Sequence, residues 1–168
     1  MDKHKNTDNS QVCFFASGCF WGTEYYFMKA NGVLKTTVGF MGGSVQNPTY
    51  QQVKTGKTGH VETVKVEYDP VQTTYEDLLK LYYETHDFEQ TGGQGPDIGD
   101  QYQSVLFYVD EEQKQLAEKY IRILTEKGYK VATELSPAFT FWEAEDYHQQ
   151  YYDKKQGTPY CHVYRKIF

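Results

Sequence analysis

Cys19 lies in Ser17-Gly18-Cys19-Phe20-Trp21-Gly22, after a short apolar run and at the start of a segment that reads as a helix. That setting suits sulfur nucleophilic chemistry. Unsatisfied N–H groups in a helix's first turn, and the positive end of its dipole, favour a thiolate over a thiol. Phe20 and Trp21 put two large apolar rings beside the sulfur, which points to a small, partly apolar substrate group. Cys161, in Thr158-Pro159-Tyr160-Cys161-His162, places a second thiol in the tail. A tail thiol can attack an oxidised Cys19 and leave a disulfide that an external dithiol reduces. Cys13 sits inside the apolar run 12–16 and reads as a buried, inert thiol. Three sparse cysteines make no structural disulfide framework.

Glu62 shares a strand face with Val64, Val66 and Tyr68, while Thr63, Lys65 and Glu67 on the other face read as solvated. A carboxyl at the end of an apolar face loses hydration. Its pKa rises, it stays protonated nearer neutrality, and in that state it is a general acid. Tyr50 and Tyr102 border two glycine-rich loops, from which their hydroxyls can donate to a substrate oxygen. His60, His86, His148 and His162 lack H-x-x-x-H spacing and the cysteines form no C-x-x-C pair, so neither a metal nor another cofactor is expected. A cysteine hydrolase or acyltransferase pairing Cys19 with His60 or His148 is the rival chemistry. Against it, Gly18-Cys19-Phe20-Trp21-Gly22 is one residue out of register with a nucleophile elbow. A peptide-binding module using exposed aromatics is the non-enzymatic alternative.

These groups need elements to hold them. The pattern predicts a strand over 12–16, a helix over 21–30 that stops at Asn31-Gly32, a strand over 33–40 and a glycine-rich loop over 41–59. The clean alternation over 61–68 predicts the next strand. Thr73 with Glu76 reads as a capping box opening a helix with Leu78, Leu81 and Tyr82 on one stripe. A second glycine-rich loop spans 90–101, followed by a strand over 104–109. Asp110 with Gln113 opens a helix to Lys127, whose stripe is Ala117, Tyr120, Ile121 and Leu124 and which Gly128 closes. A strand over 129–135 and an aromatic, irregular tail complete the chain. The order β-α-β-loop-β-α-loop-β-α-β-tail predicts an α+β two-layer sandwich.

The 168 residues suit one domain over 11–168 behind a polar extension over 1–10. With 24% charged residues, 39% hydrophobic residues and no membrane-length apolar run, the class is soluble and globular. The net charge of −6 argues against general nucleic-acid binding. The first ten residues lack the apolar core of a signal peptide, so a cytoplasmic location is expected.

Six motifs in order resemble the A-type peptide methionine sulfoxide reductases, enzymes that restore oxidised methionine. They are Gly18-Cys19-Phe20-Trp21-Gly22, Asn47-Pro48-Thr49-Tyr50, Thr58-Gly59-His60-Val61-Glu62, His86-Asp87, Asp97-Ile98-Gly99-Asp100-Gln101-Tyr102 and Ala144-Glu145-Asp146-Tyr147-His148-Gln149. The resemblance implies a sandwich around a ferredoxin-like core. It implies reduction of the S epimer of methionine sulfoxide, free or in proteins, in the service of oxidative-damage repair. Cys19 would be the nucleophile, Phe20 and Trp21 the methyl pocket, and Tyr50, Glu62 and Tyr102 the groups on the sulfoxide oxygen, with Glu62 as acid. Asp97 would support the substrate, Cys161 would resolve the sulfenic acid, and thioredoxin would be the reductant of a monomeric enzyme. Two stretches depart from the family's usual Gly-Asn-Asp and Gly-Thr-Gln-Tyr-Arg. Here they read Gly95-Pro96-Asp97 and Gly99-Asp100-Gln101-Tyr102-Gln103, which adds a negative charge at Asp100 and removes a positive one at Gln103. Some relatives also carry a cysteine in the loop after Tyr50; Val53-Lys54 occupies that region here.

Overall fold

The alternation over 61–68 produces a strand with one face buried along its whole length. In the computed structural model, which describes residues 9–160 and 162–168, four strands form the centre of the sheet. They are β1 (Gln11–Ser17), β2 (Val33–Met41), β3 (Val61–Tyr68) and, after a two-residue hairpin of β4 (Gly93–Gln94) and β5 (Asp97–Ile98), β6 (Ser104–Tyr108). β7 (Glu134–Pro137) adds to β6 in parallel, and the short β8 (Trp142–Glu143) adds to β2. The sheet order is β7-β6-β1-β3-β2-β8. Helices α1 (Phe20–Met28) and, beyond the one-turn α2 (Tyr50–Lys54), α3 (Tyr75–Glu84) cross between strands of this sheet. The central unit is therefore β1-α1-β2-β3-α3-β6 with antiparallel order β6-β1-β3-β2, the ferredoxin-like arrangement.

The helices cover one face of the sheet. Phe27 of α1, Leu78, Leu79, Tyr82 and Tyr83 of α3, and Ala117, Tyr120 and Leu124 of α4 (Glu111–Glu126) close over Cys13, Phe15, Val64, Val66 and Leu106. Cys13 is fully buried there, and burial pushes its thiol well above the ordinary value, as suits an inert core residue. The other face is not simply solvated. Thr63 is fully buried, in contrast to the expectation, and only Lys65 and Glu67 are half-exposed. Residues 138–141 return over that end of the sheet, where Ala138 and Phe141 join a second cluster of Phe14, Ala16, Met41, Val61, Val105 and Phe107.

Other boundaries move for local reasons. α3 is capped by Thr74, whose Oγ1 accepts from Asp77 N at 3.1 Å, not by Thr73 with Glu76. Glu76 instead accepts from Tyr120 Oη at 2.6 Å, tying α3 to α4. The expected strand over 129–135 is confined to β7, because Tyr129 N closes the end of α4 on Leu124 O and the Tyr129 ring packs on Phe88. The two glycine-rich loops contain α2 and the β4–β5 hairpin, and the tail contains α5 (Tyr151–Lys155). Among the described residues, no helix is long and apolar enough to cross a membrane.

Candidate active site

Cys19 stands at the junction of β1 and α1. Gly18, at φ +98°, turns the chain out of the strand, a conformation that disfavours any side chain. Its missing side chain also makes room for Gln94 of β4. Cys19 is then the N-cap of α1, with 6% of its surface exposed. The first-turn donor Phe20 N gives its hydrogen bond to Glu62 Oε1 at 3.0 Å. One of the helix's orphan N–H groups thus ties the residue after Cys19 to a carboxyl on β3. Glu62 is only 2% exposed. Burial above all, and then Cys19 and Asp97, hold its pKa well above the ordinary carboxylate range, against the opposing pull of Phe20 N–H.

Tyr50 is the first residue of α2 and Tyr102 the last of the 3-10 turn Asp100–Tyr102. The loops meet where Gln101 Nε2 donates to Lys54 O, and Glu145 Oε1 accepts from Tyr50 N to tie the start of α2 to the segment after β8. Tyr102 hydrogen-bonds the Tyr50 hydroxyl. Burial first, then Glu62 and Cys19, push Tyr50 up to about 12. Tyr102 is pushed up too, by burial and then by Glu62, Tyr50, Cys19 and Asp97. Both phenols therefore keep their protons at neutral pH as hydrogen-bond donors. Asp97 on β5 accepts from Tyr160 Oη at 3.0 Å through Oδ1; its Oδ2 is buried with no hydrogen-bond partner among the described residues.

The apolar side is built from α1 and the segment after β8. Phe20 is fully buried against Phe40, Tyr50 and His148. Trp21 is half-exposed and held on two sides. Its Nε1 donates to His148 Nδ1 at 3.1 Å, and its ring lies flat on Tyr151, centroids 3.8 Å apart and planes 6° apart. His148 and Tyr151 are buttresses that the sequence reading did not assign. His148 entered that reading only as a motif residue and as a hydrolase base. With Nδ1 accepting from the indole, the ring proton sits on Nε2, and burial pushes the imidazole toward the neutral form. His60, the other candidate base, is taken up by its own loop: Gly43 N donates to Nδ1 at 3.0 Å and Nε2 donates to Val45 O at 2.7 Å.

Cys161 lies outside the described residues. The residues on either side of it reach this region: Tyr160 through Asp97, and His162 behind the turn that carries Cys19. His162 Nε2 donates to Ser17 O at 2.6 Å, and the imidazole fills the space left by Gly22, where a methyl group would collide with it. The arrangement gathers a thiol nucleophile, a buried carboxyl and two protonated phenols able to donate to an oxygen, and an aromatic wall able to receive a small apolar group.

Comparison with known proteins agrees. The family described as peptide methionine sulfoxide reductase matches residues 11–168. A curated "Peptide methionine sulfoxide reductase MsrA" of Sulfolobus acidocaldarius is 46% identical over 152 residues, covering 90% of this chain and 86% of that protein. The protein of the same name from Methanothermobacter thermautotrophicus is 49% identical over 156 residues, covering 91% and 92%. Among solved structures, reduced Mxr1 from Saccharomyces cerevisiae superposes with a TM-score of 0.87 at 32% identity, covering 94% of this chain and 93% of that one. Methionine sulfoxide reductase A of Corynebacterium diphtheriae superposes with a TM-score of 0.80 at 37% identity, covering 95% and 84%. The chain belongs to the peptide methionine sulfoxide reductase family, in its A type.

Proposed function

We propose that this protein reduces the S epimer of methionine sulfoxide, free or in proteins, to methionine. The observation that carries the reading is the Glu62 carboxyl, buried and bonded to Phe20 N immediately after Cys19, with Tyr50 and Tyr102 clustered around it. A sulfoxide oxygen leaves poorly unless it gains protons. Cys19 Sγ attacks the sulfoxide sulfur while Glu62 donates a proton to the oxygen and the two phenols hold it. Phe20 and Trp21 receive the methyl group, and Asp97 supports the rest of the substrate. The attack joins Sγ to the substrate sulfur, and the twice-protonated oxygen leaves that sulfur as water. Water then attacks Cys19 Sγ, breaks the S–S bond and loses one proton, so the thioether methionine departs and Cys19 is left as a sulfenic acid. The Cys161 thiol then condenses with that sulfenic acid, expelling water and forming a disulfide. A thioredoxin dithiol reduces the disulfide and regenerates both thiols while becoming oxidised itself. In this reading residues 11–168 act as one monomeric domain in cytoplasmic repair of oxidised methionine.

The test is turnover of the S and R epimers with a thioredoxin recycling system, beside Cys19→Ser. Reduction of the S epimer alone, abolished in the variant, is the expected result. Inactivity of the folded, reduced protein toward both epimers would overturn the reading.

A further inference from the structure

Glu24 lies on α1 three residues after Trp21, so the two side chains leave the helix on neighbouring positions of one face. It is 1% exposed. A carboxylate so deep calls for strong partners, and here three neutral donors converge on it. Gln150 N donates to Oε1 at 2.7 Å, Gln150 Nε2 to Oε2 at 2.9 Å and Thr36 Oγ1 to Oε2 at 2.8 Å. Glu24 has no assigned part in the chemistry above. Its position makes sense through what Gln150 joins.

Gln150 has a left-handed backbone (φ +51°, ψ +46°), a conformation that a non-glycine residue keeps only when its surroundings impose it. The residues around it form a clasp. His148 accepts from the Trp21 indole and Tyr151 stacks on the Trp21 ring. Between them, Gln149 grips β2 by accepting from Val38 N at 2.8 Å and donating to Val38 O at 3.0 Å. Gln150 is gripped by Glu24. The inner pair of this four-residue run is bolted to the scaffold and the outer pair holds the indole.

We propose that Glu24 is a positioning residue of the reductase: its carboxylate fixes the left-handed turn at Gln150 and thereby sets His148 and Tyr151 against Trp21, which defines the shape of the methyl pocket. The inference rests on the reductase reading for its consequence and on Trp21 itself for its geometry. A carboxylate is required because all three partners are donors. In Glu24→Gln the new amide turns an N–H toward one of them, and the turn loses a hydrogen bond while volume is preserved.

The test uses the full-length protein carrying Trp142→Phe, so that Trp21 is the remaining tryptophan. Glu24→Gln and Gln150→Ala are made singly and together. Two readouts are taken: Trp21 emission, and single-turnover reduction of methionine S-sulfoxide against its S-ethyl homologue. In each single variant Trp21 emission shifts, the methyl substrate loses about tenfold in kcat/KM, and its preference over the ethyl substrate falls at least about threefold; a misplacement of about 1 Å can cost about 10²-fold, and partial loss of the support behind Trp21 costs less than that. The double variant is no worse than the worse single one, since both cut the same link. A purely structural role would lower the unfolding midpoint without changing the methyl-to-ethyl ratio of the folded protein. Unchanged emission and an unchanged ratio in folded Glu24→Gln overturn the proposal; should that variant not fold, the same readouts on Gln150→Ala decide it. If the parent protein reduces neither substrate, the reductase reading falls, and the Trp21 emission still decides whether Glu24 positions the indole.

Discussion

Glu62→Gln separates the proton from the shape. Glutamine keeps the volume, and its carbonyl oxygen can accept from Phe20 N as Glu62 Oε1 does at 3.0 Å, so the start of α1 and the Cys19 setting survive. The acid proton does not. A positioned general acid is worth about 10²–10⁴-fold in rate, which corresponds to about 3–5 kcal/mol of barrier. Glu62 is 2% exposed, so bulk water has little access to replace it. The expected loss is therefore near the middle of that range, about 10³-fold, in the step that forms methionine. The assay is rapid-quench single turnover of reduced enzyme with the S sulfoxide across a pH series. Wild-type rate falls as pH rises through the raised Glu62 pKa, because a carboxylate cannot donate. The variant lacks that falling limb. A variant rate within about threefold of wild type, or the same alkaline limb in both proteins, refutes the acid role.

The same substitution tests the burial argument through stability. A carboxyl with a raised folded pKa holds its proton more tightly folded than unfolded. Below the ordinary carboxylate range both states are protonated and the group adds no pH dependence. Above it the unfolded chain releases the proton first, and the wild type loses about 1.4 kcal/mol per pH unit. That loss stops once pH passes the folded value. Glu62→Gln has no such slope, so urea unfolding should show it gaining on wild type as pH rises above the ordinary carboxylate range toward the raised folded value. Parallel stability curves would contradict the burial of an ionisable group at this position.

Three further outcomes follow from the site. Tyr151→Ala removes the ring stacked on Trp21 at 3.8 Å; an aromatic pair of this kind adds about 0.5–1.5 kcal/mol, so kcat/KM of the reductase step should fall about 2–12-fold, and an unchanged value would reject the buttress. Gly22→Ala gains about 1 kcal/mol of helix propensity but drives a methyl group into the His162 imidazole. Overpacking costs about 1–3 kcal/mol, so calorimetry should show the unfolding midpoint lowered by up to a few degrees, and a raised midpoint would show that His162 does not fill that space. Cys161→Ser should release one methionine per enzyme and then stall with thioredoxin, with a sulfenic acid trappable on Cys19; sustained thioredoxin-driven turnover would remove Cys161 from the resolving role.

The regular half of the molecule was legible because its signals are periodic. β3 has the bounds that the alternating run sets, and α4 follows Asp110 and ends before Gly128 as the pattern requires. The adjacency of Cys19, Phe20 and Trp21 was legible because it is local sequence, and Glu62 because strand parity fixes its face. α2 was missed although its signal was present: Thr49 and Gln52 form a reciprocal capping box inside a stretch that glycines mark as loop. The solvated reading of Thr63 failed because parity says which residues share a face but not whether a later segment, here Ala138 and Phe141, will cover it.

The clasp around Trp21 was illegible for a different reason. Residues 144–151 have no apolar period, and what orders them is a set of side-chain bonds to distant backbone and to Glu24. Gln149 imitates a strand neighbour by bonding both the N–H and the C=O of Val38, and Gln150 is held left-handed by a carboxylate 126 positions earlier in the chain. Such bonds require a partner that only the fold supplies, so a polar, glutamine-rich stretch reads as loop. Yet the proposed methyl pocket rests on this stretch, because Trp21 is half-exposed and α1 fixes only its base. The indole stays upright because His148 and Tyr151 hold its edge and face, which makes an apolar subsite depend on a polar network behind it.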